Sequence, residues 1–255
     1  MGDPTVYPVP MSEARFLVSP AELKRPQVVL SGAELRHLRV RRIRPGEFVW
    51  VTDGQGNERR GRVLLVERAR AVIEFTGEET LCRESPLAVT LCLALIQPAA
   101  VEFVLQKATE LGATRFVLFR ASRSVSGASA VRVSRWQRVA AEATKQCQRA
   151  VVPSLVAVES LEAAVSPLEA QLRIALAPES RSSIADLAER PPESVAIVVG
   201  PEGGFSPKEL AVLEATDFRR ACLGPRILRS ETAAIAALSV VQYLWGDLRW
   251  PAATL

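Results

Sequence analysis

Short hydrophobic runs in the first third of the chain are spaced like strands. Residues 47–52, 60–66 and 71–75 are rich in Val, Ile and Phe, which favour a pleated surface. The segment DGQGN at 53–57 separates the first two runs, and its glycines are typical of a hairpin turn. A short helix is predicted over 33–39. We therefore predict a small β-rich unit, a barrel or curled sheet, from about residue 15 to 81, followed by a linker at 83–86.

The pattern changes at residue 88, where short apolar runs begin to alternate with helical periodicity. Strands are predicted over 88–96, 115–119, 154–158, 172–176, 195–199 and 221–223, and helices over 101–111, 134–148, 207–215 and 231–245. Strands that are apolar throughout are buried on both faces, and helices between them provide the cover. The second part of the chain is therefore predicted to be an α/β domain with a parallel sheet.

Composition narrows the class of protein. The 255 residues are 48% hydrophobic and 24% charged, a normal globular mixture. The longest apolar runs fall short of the ~20 residues that span a bilayer, and the N-terminus has no signal-peptide pattern. Four widely spaced cysteines without a CxxC motif, together with a single histidine, argue against a zinc site. We expect a cytoplasmic protein with reduced cysteines, no metal and no membrane segment.

Basic residues are concentrated in two segments. Residues 111–156 hold eight basic residues and one acidic residue, and residues 35–44 hold five arginines and no acid. The rest of the chain from residue 157 has nine basic and thirteen acidic residues. Two basic patches indicate nucleic-acid binding, although an ordinary solvated surface is the alternative. The predicted RNA contacts are Arg36, Arg39, Arg42, Arg123, Arg138 and Arg149.

A glycine-rich turn follows the predicted strand at 195–199. Gly203 and Gly204 allow a sharp turn and close approach of a ligand. The next residues, Ser206-Pro207-Lys208-Glu209, form a capping box that predicts a helix start. The segment matches neither phosphate-binding glycine motif, and Glu202 would repel a phosphate. A cationic or hydroxyl-bearing ligand fits better, while a plain tight turn is the structural alternative.

A second turn follows the predicted strand at 221–223. Gly224 and Pro225 turn the chain, and Ser230 is the predicted N-cap of the last helix. Ile227 and Leu228 are too apolar for a free surface loop, so we expect them to pack on the faces of a base. Because ligands of α/β sheets bind at the carboxyl ends of the strands, both turns are candidate ligand sites.

The two turns carry a family resemblance. GPEGGFSPKE at 200–209 and LGPRILRSETAA at 223–234 resemble the RsmE family of 16S ribosomal RNA methyltransferases, in the SPOUT superfamily. HLRVRRIRPGE at 37–47, QKATELGA at 106–113 and RWQRVAAEATKQCQRAVVP at 135–153 agree with it. The resemblance implies a PUA-like RNA-binding β-barrel over 13–82 and a SPOUT α/β methyltransferase domain with a trefoil knot over 86–250. It also implies a homodimer with its site near the subunit interface.

The implied reaction is methylation of N3 of uridine 1498 in the 16S RNA of the small ribosomal subunit, with S-adenosylmethionine as the methyl donor. Carried over position by position, the implied cofactor-binding residues are Leu176, Gly200, Pro201, Glu202, Gly203, Gly204, Leu223, Gly224, Ile227, Leu228, Arg229, Thr232 and Ala233.

Uracil N3–H is a weak acid, so the reaction needs a base or a cation that stabilises the ring anion. Arg229 and Glu231 are our catalytic candidates, with Arg123 and Glu202 as alternatives for the cation and the base. Two rival functions stay open. One is a SPOUT enzyme acting on transfer RNA, which the PUA-like unit disfavours. The other is a non-catalytic RNA-binding assembly factor, which two intact cofactor turns disfavour.

Overall fold

The computed structural model describes residues 13–77, 83–124 and 130–249. The chain forms two compact units. The first contains the described residues up to 83 and also 148–151, and the second contains the remainder from residue 84 onward. The predicted domain limits at 82 and 250, and Cys82 itself, lie outside the described residues. The second domain was predicted as one uninterrupted range, 86–250, whereas residues 148–151 within it belong to the first unit.

The first unit is built on a five-stranded sheet with strand order β1-β3-β4-β5-β2. Strand β1 pairs with β3 in parallel, and the other pairs are antiparallel. Its strands are β1 (Arg15–Leu17), β2 (Gln27–Leu30), β3 (Phe48–Thr52), β4 (Glu58–Val66) and β5 (Ala71–Gly77), and its helices are α1 (Pro20–Leu23) and α2 (Gly32–Val40). The three predicted strands and the helix are present, whereas β1, α1 and β2 were missed because they are short.

The predicted hairpin turn between β3 and β4 is held by one aspartate. The Oδ1 atom of Asp53 accepts hydrogen bonds from the backbone amides of Gln55 at 2.8 Å and Asn57 at 3.2 Å. Gly54 and Gly56 adopt positive φ angles of 72° and 104°, which side chains disfavour. The turn could therefore be predicted from its residue types.

The segment 148–151 joins the first unit at this turn. Ala150 O accepts hydrogen bonds from Thr52 Oγ1 and from the backbone amide of Gly56, both at 3.2 Å. Val151 forms a β-bridge with Gln55. The first unit is therefore completed by residues that lie far along the chain.

The second unit is built on a six-stranded sheet with strand order β11-β9-β10-β6-β7-β8, in which all neighbours are parallel. Its strands are β6 (Ala88–Ala94), β7 (Arg115–Phe119), β8 (Ser154–Val158), β9 (Leu172–Leu176), β10 (Ser194–Val199) and β11 (Arg219–Ala221). Its helices are α3 (Pro98–Glu110), α4 (Ala130–Cys147), α5 (Leu161–Val165), α6 (Pro207–Ala215) and α7 (Ser230–Trp245), with a 3₁₀ turn at Ile184–Leu187.

Helices cover both faces of this sheet, as the apolar strands predicted. Along β6, Leu91 and Leu93 pack into one core with residues of α3, α4 and α7. The alternate residues Cys92 and Ala94 pack into a second core with residues of α5 and α6. The α/β prediction is confirmed.

Two element boundaries differ from the sequence prediction in ways that matter for the site. Strand β11 ends at Ala221 rather than continuing to Leu223, since Cys222 leaves the sheet ladder and forms an isolated bridge with Ser183. Cys222 and Leu223 line a cleft. Helix α4 ends at Cys147, since Gln148 has a φ of 66° and leaves the helix. No helix in the described ranges is long and apolar enough to cross a membrane.

Candidate functional site

Three neighbouring strands of the second sheet end at one edge. Because the order is β11-β9-β10, the carboxyl ends of these parallel strands bring together the segments that follow each of them. These segments are 177–179, 200–206 and 222–229. Such an edge is where α/β proteins bind ligands.

The turn after β10 is built as its sequence predicted. The backbone amide of Gly204 donates to Pro201 O at 2.9 Å, and Gly204 has a φ of 68°. Ser206 caps α6, and the reciprocal bonds between Ser206 and Glu209 complete the capping box. The turn is therefore fixed at both ends, by β10 and by the helix cap.

The turn after β11 meets α7 differently from the prediction. Helix α7 begins at Ser230, and Arg229 occupies the N-cap without a side-chain cap bond. The hydroxyl of Ser230 instead donates to Gly200 O at 2.9 Å, and Ser230 is only 6% exposed. Ser230 does not cap the helix because it is already the first helical residue, one position after the N-cap. This hydrogen bond ties the two candidate turns together.

The three segments enclose a cleft of about 230 Å³. All but three of the predicted cofactor residues line it, namely Leu176, Gly200, Pro201, Glu202, Gly204, Leu223, Gly224, Ile227, Leu228 and Ala233. The exceptions are Gly203, Arg229 and Thr232, which are absent from its lining. The two turns singled out in the sequence therefore lie side by side, and ten of the thirteen predicted residues line the cleft between them.

The third wall of the cleft was not predicted beyond Leu176. Ala177, Pro178 and Glu179 line it, and the amide of Ala177 donates to Ala221 O at 2.9 Å, which ties this segment to β11. These residues could have been predicted from the sequence by their position immediately after a buried strand. Cys222, whose amide donates to Ser182 O, also lines the cleft.

The backbone that lines the cleft is open at two glycines, Gly204 and Gly224. Gly204 and Gly224 have φ angles of 68° and 97°, and within the described part of the chain, their own sequence neighbours aside, no atom lies within 4 Å of the place where a Cβ would stand on either. Together with the apolar side chains of Ile227 and Leu228, these turns offer backbone groups and hydrophobic surface to a flat ring. Ile227 is 87% exposed, so it has apolar surface left to cover a ligand.

Gly203 is a glycine for a reason that the sequence did not reveal. A Cβ at this position would lie 3.1 Å from Cδ and 3.3 Å from Cβ of Arg123. The Arg123 guanidinium donates a hydrogen bond to Gly203 O. A protein side chain therefore approaches Gly203 closely, and the contact of Gly203 with a cofactor stays a prediction.

Charged side chains surround the cleft. Glu179, Glu202 and Arg226 line it. Arg229 is exposed and stands between Leu228 and Ser230, which both line the cleft, and Glu231 is half-buried in the first turn of α7. The described residues include no cluster of His, Cys, Asp or Glu that could hold a metal ion.

The predicted RNA contacts fall into different environments. Arg36, Arg42, Arg123 and Arg138 are exposed. Arg39 is also exposed, but its Nη2 donates to the carbonyls of residues 67 and 68, both at 2.6 Å. Arg149 is 4% exposed, so its prediction as a surface RNA contact is corrected, since a buried guanidinium in this structure is not available to a phosphate.

Comparisons with known families agree with this division of the chain. Residues 83–242 match the family described as RNA methyltransferase domain. Residues 30–76 match the family described as RNA methyltransferase PUA domain. The two matches fall on the second and first units.

Curated relatives bear the same name. Ribosomal RNA small subunit methyltransferase E of Synechocystis is 31% identical, over 90% of this chain and 77% of its own. The Bacillus subtilis protein of that name is 31% identical over 86% and 90%, and the Mycobacterium tuberculosis one is 35% identical over 84% of each chain.

A solved structure matches along nearly the whole chain. Ribosomal RNA small subunit methyltransferase E from Neisseria gonorrhoeae, bound to S-adenosyl methionine, has a TM-score of 0.86 and 31% identity, covering 92% of this chain and 99% of its own. The fold, the two matched domains and the relatives agree that this chain belongs to the ribosomal RNA small subunit methyltransferase E family and is an RNA methyltransferase.

Proposed function

We propose that this protein transfers a methyl group from S-adenosylmethionine to N3 of uridine 1498 in 16S ribosomal RNA, on small subunits in the cytoplasm. The observation that carries the proposal is the cleft at the ends of β9, β10 and β11 in a chain of this family. Two solved relatives, from Neisseria gonorrhoeae and Legionella pneumophila, are described as bound to this cofactor.

The cleft suits the proposed cofactor. Ile227 and Leu228 offer apolar surface to the adenine ring, and the open backbone at Gly204 and Gly224 offers amides and carbonyls to polar edges. The carboxylates of Glu179 and Glu202 can accept from ribose hydroxyls or from the ammonium group. When bound, S-adenosylmethionine would supply an electrophilic methyl group, whose bond to sulfur breaks as the N3 lone pair bonds to its carbon, so that a neutral thioether is released.

The protein must deal with the proton and charge of the uracil ring. Glu231 and Glu202 are the candidate acceptors of the N3 proton, and Glu202 is the one that lines the cleft. Arg229 stands beside the cleft between two of its lining residues, where a guanidinium can stabilise negative charge on O2 or O4. Such a donor acts more strongly on the transition state than on the ground state.

The test of the reaction is mass mapping of 16S RNA after incubation of unmethylated small subunits with protein and cofactor. We expect one added methyl group, on the base of uridine 1498. Methylation of transfer RNA instead, or binding of RNA without methyl transfer, would contradict the proposal and support one of the rival functions.

The role of Arg229 is tested separately by single-turnover methyl transfer at saturating RNA and cofactor. Losing an oxyanion-type donor typically costs about 10²–10³ in rate, so both Arg229→Ala and Arg229→Lys should slow transfer by at least about tenfold. Affinities for RNA and cofactor should change little. If Arg229→Lys retains a normal rate, Arg229 has no part in the chemistry.

The exposed arginines Arg36, Arg42 and Arg138 are proposed to bind RNA phosphates. Each neutralised phosphate contributes a negative slope, of magnitude up to about 0.9, to the dependence of log affinity on log salt concentration. Changing these residues to Glu should weaken RNA binding and flatten that slope while leaving cofactor affinity unchanged. A binding constant that is insensitive to salt would contradict this assignment.

We also propose that the protein is a homodimer. Phe103 on α3 and Val240 and Tyr243 on α7 are large exposed apolar side chains on two helices that pack against each other. Such a patch is typical of a protein interface. Light scattering should give twice the 27.7 kDa of one chain, and Tyr243→Glu should shift the mass toward that of the monomer.

Family membership further supports a trefoil knot in the second unit, formed around the two turns that Ser230 joins. An experimental structure whose density traces the chain from β10 to α7 without a break would decide this proposal. A chain path that does not thread through itself would refute it.

A further inference from the structure

The carboxylate of Glu209 joins two turns that lie far apart in the chain. Its Oε2 accepts from the backbone amide of Ser206 at 2.7 Å, which is the capping box of α6. Its Oε1 accepts from the backbone amide of Ser122 at 2.8 Å, in the turn that follows β7. A cap alone needs only the first of these bonds. The second bond crosses from β10 to β7, which are separated in the sheet by β6.

The turn that Glu209 holds is well defined. The backbone amide of Ser124 donates to Ala121 O at 3.0 Å, which closes a four-residue turn, and Ser124 Oγ accepts from the amide of Ala121 at 3.0 Å. Ser122 and Arg123 occupy the two central positions. Fixing the amide of Ser122 therefore fixes the backbone from which the Arg123 side chain projects.

Arg123 lies against the outside of the cofactor turn. Its guanidinium donates to Gly203 O, and its stem lies where a side chain on residue 203 would stand. The neighbours Glu202 and Gly204 line the cleft. The side chain of Arg123 is exposed, and its remaining N–H groups have no hydrogen-bond partner among the described residues. A cation with unused donors is thus held at the rim of the cleft.

We propose that Glu209 is a positioning residue for the RNA substrate, which locks the 121–124 turn so that Arg123 binds an RNA phosphate beside the cofactor cleft. The proposal rests on the proposed function, because it takes the cleft to be the site of methyl transfer. Arg123 provides the contact with RNA, and Glu209 acts only through it.

The charge state of Glu209 is consistent with this role. Burial raises the pKa of its carboxyl group, but the hydrogen bonds from the backbone amides of Ser206 and Ser122, together with those from their hydroxyls, outweigh this and hold the pKa below its ordinary value of 4.5. The carboxylate is therefore ionised at neutral pH and can accept both bonds. Glutamine has only one carbonyl oxygen in its side chain, so Glu209→Gln cannot accept both in the same geometry.

The chain offers a substitution that breaks the bridge and keeps Glu209 itself in place. Ser122 is the second residue of its turn and does not have a positive φ, and proline is favoured at that position of common turns. Ser122→Pro removes the N–H that Glu209 accepts, and with it the Ser122 hydroxyl that lies 3.4 Å from Ser206 Oγ. It leaves Glu209 and the reciprocal bonds between Glu209 and Ser206 in place. Glu22→Gln is the matched control, since Glu22 makes the same capping box with Ser19 on α1 and, among the residues that the structure describes, bridges to no second turn.

The experiment measures KM for small subunits, kcat and cofactor affinity. Hydrogen bonds to charged groups contribute about 1.5–3 kcal/mol, so Arg123→Ala should raise KM by about tenfold or more. Glu209→Gln and Ser122→Pro should raise it similarly, with kcat and cofactor affinity nearly unchanged, and Glu22→Gln should behave as wild type. Adding Glu209→Gln to Arg123→Ala should have little further effect, because residues that act through one contact are not additive.

Two results would overturn the proposal. One is an increase in KM from Glu209→Gln that is undiminished in the Arg123→Ala background, which would mean a general structural role. The other is fast hydrogen exchange of the Ser122 amide in the wild-type protein, which would mean that the bridge does not exist in solution. A wild-type chain that binds RNA but transfers no methyl group would refute the proposed function instead, and RNA affinities of the same variants would then decide the role of Glu209.

Discussion

The hydrogen bond between Ser230 and Gly200 predicts how strongly the two cofactor turns depend on each other. Ser230→Ala removes the only hydroxyl that joins them among the described contacts, at a position that is almost fully buried. A typical intramolecular hydrogen bond contributes about 0.5–1.5 kcal/mol, and an acceptor left unsatisfied when buried costs about 1–3 kcal/mol. We therefore expect a loss of about 1–2 kcal/mol.

This loss of free energy can appear in either of two measured quantities, the stability to unfolding or the affinity for the cofactor. If the turns stay in place without cofactor, the loss falls on unfolding, and a loss of 1 kcal/mol lowers Tm by about 2–4 °C in a domain of this size. If the turns separate without cofactor, binding must reorder them, and affinity falls by about tenfold for each 1.4 kcal/mol. Calorimetry with S-adenosylmethionine and thermal unfolding together measure both.

Ser239→Ala is the matched control for this prediction. Ser239 lies on the same helix, and its hydroxyl donates to Ile235 O at the same distance of 2.9 Å, but this bond stays within one turn of α7. We expect Ser239→Ala to have a small effect on Tm and none on cofactor affinity. If Ser230→Ala and Ser239→Ala are indistinguishable in both measurements, the bond between the turns has no functional consequence and the reasoning is refuted.

Three further predictions follow from the same cleft and its neighbours. Gly224→Ala should weaken cofactor binding by about tenfold, because a side chain at a φ of 97° costs about 1–2 kcal/mol and the free turn then relaxes away from the conformation that binds the cofactor. Gly203→Ala should leave cofactor affinity nearly unchanged, because Arg123 is the neighbour that it displaces. Equal losses of affinity in calorimetry would contradict this. Cys222 lines the cleft, so its alkylation should slow when S-adenosylmethionine is added. Cys92 should react only after unfolding, because burial raises the pKa of its thiol to about 12. Peptide mass mapping measures both reactions. The pKa of Glu209 is lowered in the folded state, so its bridge stabilises the protein above pH 4.5, and this stabilisation is lost as the pH falls through the folded-state pKa. The difference in unfolding free energy between wild type and Glu209→Gln should therefore shrink as the pH is lowered. A difference that grows toward acid pH would refute the predicted direction of the effect.

The sequence was most informative where local rules and burial agree. The apolar strands of the second unit predicted a parallel sheet covered on both faces, and β6 shows why, since Leu91 and Leu93 face one core while Cys92 and Ala94 face the other. The capping box at Ser206 and the turn at Asp53 were predictable because their partners lie within four residues. Short-range hydrogen bonds of this kind depend only on local residue types.

The missed features all depend on contacts that are distant in sequence. Ser230 has the residue type of a helix cap, and only the position of Gly200 shows that its hydroxyl is used elsewhere. Gly203 is explained by Arg123, eighty residues earlier in the chain. Arg149 belongs by charge to the basic segment, but its burial follows from the return of 148–151 to the first unit. No pattern along the chain carries this information without the fold.

The contribution of 148–151 to the first unit affects the order in which the protein can form. Ribosomes synthesise the N-terminal residues first, at about 5–20 residues per second. The acceptor for Thr52 and Gly56 is the carbonyl of Ala150, so the turn at 53–57 lacks these bonds until nearly a hundred more residues have been made. An isolated fragment ending near residue 83 would lack them permanently. The first unit therefore gains these bonds only after β6, β7 and α4 of the second unit have been synthesised, although the two units match separate families.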